Sequence, residues 1–181
     1  MRAIFLDRDG VINKYPGDKK YITSLKKFRF IPNAKKAIAK LYKKGFRLFI
    51  ISNQAGVGRK VYSQRTLDAI TKKMLEAIEK EGGKIEFVYY CTHRKEENCS
   101  CRKPKAGSID SIKKQYPINL RKSFFIGDTI RDVKTAKSAG CKSILVFSGR
   151  EKLKNSINWE VKPDFVFKDL REAADFILKQ K

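Results

Sequence analysis

Apolar residues in this chain fall into short runs rich in β-branched and aromatic side chains, separated by stretches where they recur every three or four positions. The runs at 3–7, 47–53, 87–91, 123–128, 143–147 and 165–167 predict buried strands, because a strand covered on both faces reads as a continuous apolar run. Between them Ala34, Ala37, Ile38 and Leu41 form a helical stripe that Pro32 precedes and Gly45 stops. Leu67, Ile70, Met74 and Ile78 form a second. Further helices are predicted from near Ala106, from near Thr129 with Val133 and Ala136 inward, and after Asp169, where Glu172 three places on makes a capping-box pattern. This alternation predicts an α/β fold: an open, doubly wound, mostly parallel sheet with helices on both faces and ligands beyond the carboxyl ends of its strands. No repeat or linker divides the chain, so residues 1–181 read as one domain. Segments 13–30 and 54–62 lack a period and are the stretches expected to overhang a site.

Charge narrows the classes of partner. With 42 Lys and Arg against 19 Asp and Glu, the formal net charge is +23, which favours anionic partners and fast capture of anionic substrates. The lysines are scattered over helix faces (Lys35, Lys36, Lys40, Lys43, Lys44) and loops, with no arginine-rich arm and no aromatic-basic RNA motif. They read as a solvated surface rather than a nucleic-acid interface. No apolar run is long enough to span a bilayer and the first strand starts almost at the N-terminus, so neither a membrane partner nor a leader is expected. Three of the four cysteines lie close to the only histidine, a pattern of metal binding in a reducing cytoplasm rather than of disulfides.

The first strand ends in Asp7-Arg8-Asp9-Gly10, which places two carboxylates two residues apart where the strand opens into a loop. One can attack phosphorus while the other gives a proton to the leaving oxygen and later takes one from water. Three later segments also fall at strand ends or before a helix: Ser52-Asn53-Gln54, Arg102-Lys103-Pro104-Lys105 and Gly127-Asp128-Thr129-Ile130-Arg131-Asp132. Separately, Cys91-Thr92-His93 and Cys99-Ser100-Cys101 give four ligands of the kind that close a structural zinc site: Cys91, His93, Cys99 and Cys101. That cluster ends just before Arg102 and Lys103, so a metal there would pin the loop that carries them. Cys141 reads as a small buried residue.

In order and spacing the four segments resemble the signature motifs of the haloacid dehalogenase-like phosphatase superfamily, over nearly the whole chain. The resemblance implies that Asp7 is the nucleophile and Asp9 the general acid and base. It implies Mg²⁺ on the Asp7 carboxylate, the Asp9 backbone carbonyl and Asp128, with Ser52 and Lys103 holding the phosphoryl oxygens and Asp132 orienting Lys103 or a metal-bound water. The zinc loop resembles the branch of heptose 1,7-bisphosphate and histidinol-phosphate phosphatases, which lacks a separate cap domain and whose compact members act as monomers on small phosphorylated metabolites.

Within that branch the 52–59 loop resembles the heptose form, which implies removal of the C7 phosphate of a sugar bisphosphate. Substrate contacts are then expected from Asn13, Asn53, Gln54, Arg59 and Arg102, with Arg59 and Arg102 as the second cationic site. The spacing from His93 to Cys99 is nearer the histidinol-phosphate form, and Thr129 stands where heptose enzymes can carry lysine. DNA 3′-phosphatases share the aspartate pair but do not, as a rule, carry the cysteine loop.

Overall fold

In a computed structural model, which describes residues 1–180, the six apolar runs become β1 (Ala3–Leu6), β2 (Arg47–Asn53), β3 (Phe87–Cys91), β4 (Phe124–Gly127), β5 (Lys142–Val146) and β6 (Phe165–Phe167). They form one six-stranded sheet in the order β3-β2-β1-β4-β5-β6, every pairing parallel. β1 and β4 end one residue before Asp7 and Asp128, whose side chains are thereby released from the pleat.

The helical stripes become α1 (Ala34–Lys43) and α3 (Gln64–Lys80), and the later predictions become α4 (Gly107–Lys113), α5 (Ile130–Ala139) and α6 (Leu170–Lys179). A one-turn helix, α2 (Ala55–Gly58), lies inside the 54–62 segment and is too short to leave a periodic signal. Ser63 caps α3 through the Thr66 amide and Asp169 caps α6 through the Glu172 amide. The Glu172 carboxylate accepts from the Lys168 amide, so the predicted reciprocal box at Asp169 is shifted by one residue.

Strand residues split between two cores as the pleat requires. Ile4, Leu6, Leu48, Ile50, Ile126 and Ile144 pack with α1, α3 and α6, while Ala3, Phe5, Phe49, Ile51 and Phe125 pack with α4 and α5. Phe5 sits between Phe49 and Phe125, with ring centroids 5.6 and 6.2 Å away. This buried aromatic row runs across β2, β1 and β4 in the middle of the sheet. Among the described residues no inserted domain stands over the strand ends, and no helix is long and apolar enough to cross a membrane.

Candidate active site

β1 is flanked by β2 and β4, the place where chain connections leave in opposite directions and open a crevice beyond the carboxyl ends. Asp7 follows β1, Ser52 belongs to β2 and Asp128 follows β4. The Asp7 amide still donates to Ile126 O at 2.9 Å, which ties the loop to β4. Asp7, Asp128 and Asp132 are all buried, and their carboxylate oxygens lie within 4.8 Å of one another. Asp128 fits because its two neighbours have no side chain: a Cβ on Gly10 would stand 2.2 Å from Asp128 Oδ2, and one on Gly149 2.0 Å. The Arg150 amide donates to Asp128 Oδ2 at 2.8 Å.

Lys103 is buried among these acids, with Nζ 2.9 Å from Asp7 Oδ2 and 2.6 Å from Asp132 Oδ1. At these distances the ammonium bridges the two carboxylates, both of which contribute to keeping it charged. Burial alone would lower the Lys103 pKa, but Asp132 and Asp7 outweigh it and hold the side chain charged. Burial raises the Asp7 carboxyl against the opposing pull of Lys103. Asp128 is pushed well above its ordinary value by burial and then by the charges of Asp7 and Asp132. Three crowded acids facing one ammonium leave uncompensated negative charge, and their oxygen donors fit a hard divalent cation.

Asp9 stands at the edge of this centre, gripped by donors. Arg8 reaches it through Nε at 3.1 Å and Nη2 at 3.0 Å, Asn13 through Nδ2 at 2.9 Å and Gln54 through Nε2 at 2.9 Å. Asn13 is therefore a brace for Asp9 inside the protein, not a residue of the open pocket as the sequence suggested, because its amide is consumed by Asp9 and Lys14 O. Asn53 accepts from the Lys103 amide and donates to Lys103 O, both at 3.1 Å, so it clamps the Lys103 backbone across the sheet end while still lining the pocket. Thr129 donates to Asp132 Oδ2 through its amide at 3.0 Å and its hydroxyl at 2.6 Å, the start of α5.

The pocket over these residues measures about 380 Å³, within the range of metabolite sites. Segment 15–21 forms one wall, as expected for the 13–30 stretch, and the mouth carries Lys19, Lys20, Arg102, Arg131 and Arg150. Asp18 is the acid among them; its carboxyl is held below the ordinary range by the Tyr15 hydroxyl at 2.5 Å and by Arg150, whose Nε lies 3.0 Å away. Arg102 belongs to this rim and donates to His93 O at 3.2 Å. Arg59 does not. It lines a separate surface hollow with Gly58, Lys60, Val61, Arg94 and Glu96, and its Nη2 lies 3.4 Å from Glu96 Oε1. Arg59 follows α2 directly and lines this hollow rather than the pocket that holds Arg102, so the two are not paired in one site.

Sequence reasoning missed Arg8, Tyr62, Arg131 and Arg150. A cation between two aspartates was a readable signal for Arg8, which is fully buried with its guanidinium over the Tyr90 ring at 5.6 Å. Arg150 lies beyond β5 and only the sheet order brings it to Asp128.

Cys91, His93, Cys99 and Cys101 converge at the end of β3. Cys91 Sγ lies 3.6 Å from Cys99 Sγ, Cys99 Sγ 3.5 Å from Cys101 Sγ, and His93 Nδ1 3.7 and 3.3 Å from Cys91 and Cys101 Sγ. A tetrahedral ion bonded to sulfur at about 2.3 Å has edges of about 3.8 Å, so the set fits such an ion. Burial and the neighbouring thiols push Cys91 up to about 12, a cost that a bound cation removes. The cluster is joined to the Lys103 loop: Lys105 Nζ donates to Asn98 O at 2.9 Å and the Gly107 amide to Ser100 O at 3.3 Å.

Comparison with known proteins agrees with this geometry. Residues 100–173 match the family model described as "HAD-hyrolase-like". The chain is 37% identical to the D-glycero-beta-D-manno-heptose-1,7-bisphosphate 7-phosphatase of Pseudomonas putida, over 83% of this chain and 85% of that one. It is 32% identical to the corresponding alpha-anomer enzyme of Campylobacter jejuni, over 97% and 95%. The crystal structure of D,D-heptose 1,7-bisphosphate phosphatase from B. bronchiseptica, complexed with magnesium and phosphate, superposes with a TM-score of 0.91 at 31% identity over the full length of both chains. With that likeness over most of both sequences and over the whole fold, the chain belongs to the heptose 1,7-bisphosphate 7-phosphatase family of haloacid dehalogenase-like phosphatases.

Proposed function

We propose that this protein removes the C7 phosphate of a D-glycero-D-manno-heptose 1,7-bisphosphate, through a phosphorylated Asp7, and acts as a monomer in the cytoplasm. The observation that carries the reading is a buried acid cluster paired with one ammonium at the base of a pocket whose mouth is cationic. In the first step an Asp7 carboxylate oxygen bonds to phosphorus while the bond from phosphorus to the C7 oxygen breaks, and Asp9 delivers the proton that this oxygen needs. In the second step Asp9 takes a proton from water, whose oxygen displaces Asp7 from phosphorus. Ser52 and Lys103 hold the phosphoryl oxygens as charge redistributes, which is most of what phosphoryl transfer requires.

Mg²⁺ held by the Asp7 carboxylate, the Asp9 carbonyl and Asp128 would neutralise the charge between nucleophile and phosphate. Zn²⁺ on Cys91, His93, Cys99 and Cys101 would be structural, consistent with four free thiols in a reducing compartment.

The rim favours a bisphosphate over histidinol phosphate. A second phosphate can be taken by Arg102, Arg131 and Arg150, whereas the amine of histidinol phosphate would meet those cations with only Asp18 to offset them. Side-by-side kinetics test this: kcat/KM is expected to be higher for the heptose bisphosphate, and an equal or higher value for histidinol phosphate overturns the assignment. Asp7→Asn should cut turnover by about a thousandfold or more with the fold retained; activity within tenfold of the parent sinks the mechanism.

A further inference from the structure

Gln54 is buried and its amide is saturated on both sides. Arg8 Nη2 at 3.0 Å and the Tyr62 hydroxyl at 2.6 Å meet Oε1, while Nε2 donates to Asp9 Oδ2 at 2.9 Å and to Ser52 Oγ at 3.1 Å. Arg8 can only donate, so the oxygen of the amide must face it and the nitrogen must face Asp9 and Ser52. With Oγ occupied as an acceptor, the Ser52 hydroxyl is left to donate toward Asp7 at the base of the pocket. One amide thus sets both the carboxylate that handles the proton and the hydroxyl that meets the phosphoryl group.

Tyr62 lies in the segment after α2, outside the pocket lining, yet it is buried with its ring against the backbone of Gly56. A Cβ on Gly56 would stand 2.3 Å from Tyr62 Cε1 and 2.8 Å from Tyr21 Cδ1, so the missing side chain is what seats the ring. Burial pushes the phenol up to about 12, which keeps it a donor throughout the working range.

We propose that Tyr62 is a positioning residue for phosphoryl transfer: by donating to Gln54 it locks the amide that holds Asp9 and Ser52 in place. This rests on the reading of Asp9 as the proton donor. Arg8 supplies the other half of the lock but is itself spent on Asp9, which leaves Tyr62 as the contact that acts on Gln54 without touching either reacting group.

The test is kcat/KM over a series of aryl phosphates, from p-nitrophenyl, whose leaving group departs unaided, to phenyl, whose leaving group needs a proton. Tyr62→Phe keeps the ring packed on Gly56. It should lose less than about threefold on p-nitrophenyl phosphate and about tenfold or more on phenyl phosphate, with KM little changed. Asp9→Asn is the control and should show the same steepening, more strongly. A steep series for Asp9→Asn with a flat one for Tyr62→Phe overturns this inference alone; a flat series for both overturns the role of Asp9 and the inference with it. Gln54→Ala should lose rate at both ends of the series, because Ser52 is released as well, and an unchanged p-nitrophenyl rate overturns the Ser52 part.

Discussion

Lys103 Nζ lies 2.6 Å from Asp132 Oδ1, and both side chains are almost completely removed from solvent. Asp132 is also the first-turn acid of α5 that accepts from Thr129, so the position of the ammonium is referred to a helix start rather than to its own loop. Lys103→Met removes the cation from three buried acids at once. In chelator it should cost about 3–5 kcal/mol in urea unfolding, as expected when one partner of a buried ion pair is lost. Mg²⁺ should recover part of that loss, and a variant as stable as the parent in chelator would show that Lys103 does not compensate the cluster.

Asp128 gives the opposite sign. An acid whose pKa is raised by folding costs stability that starts to accrue above its ordinary value, where the unfolded chain loses the proton, and is complete above the raised folded value. Asp128→Asn should therefore stabilise the metal-free protein at neutral pH, and the gap to the parent should narrow once pH falls below the folded value and close only as the ordinary carboxyl value is reached. The same variant should lose the Mg²⁺-dependent rise in Tm, which for the parent corresponds to about 2.7 kcal/mol at a hundredfold excess over Kd. Thermal melts across pH, with Mg²⁺ and with chelator, check all three.

Arg150 holds Asp18 in an exposed pair at the pocket mouth, where a phosphate would compete for the same guanidinium. Arg150→Ala should lower kcat/KM for the heptose bisphosphate about tenfold through KM and leave a heptose 7-monophosphate unaffected. Asp18→Asn should lower KM for the bisphosphate, since the competing carboxylate is gone. Equal effects on mono- and bisphosphate would remove Arg150 from the second phosphate site. Arg59→Ala should leave both substrates unchanged, in keeping with its place in a different hollow.

Elemental analysis of purified protein should find about one zinc per chain. Cys99→Ser should abolish that content and loosen the loop that links the cluster to Lys103 through Lys105 and Asn98. The expected readout is faster amide exchange over residues 92–106 and reduced kcat, with the exchange of β1 and β4 unchanged. Full activity in zinc-free protein would separate the cluster from the site.

By itself the sequence determined the strands and most helices, because the periods of burial are local, and it pointed to Asp7, Asp9, Lys103 and Asp128 and to the Cys91, His93, Cys99 and Cys101 set, which the fold brings together, because their residue types travel in short segments. It also pointed to the 13–30 stretch as a wall of the pocket. Tertiary structure decided which polar residues line the pocket and which are spent on each other. Asn13, Asn53 and Gln54 carry the same amide chemistry in a sequence, yet one is shut inside holding Asp9, one clamps Lys103 and one is locked between Tyr62 and Asp9. Of the cationic rim only Arg102 was legible: Arg131 and Arg150 come from either side of β5 and meet the 15–21 wall only because β4 lies beside β1, while Arg59 lines a different hollow. A side chain's partners depend on distances across the sheet, and those are set by strand order, which no local pattern encodes.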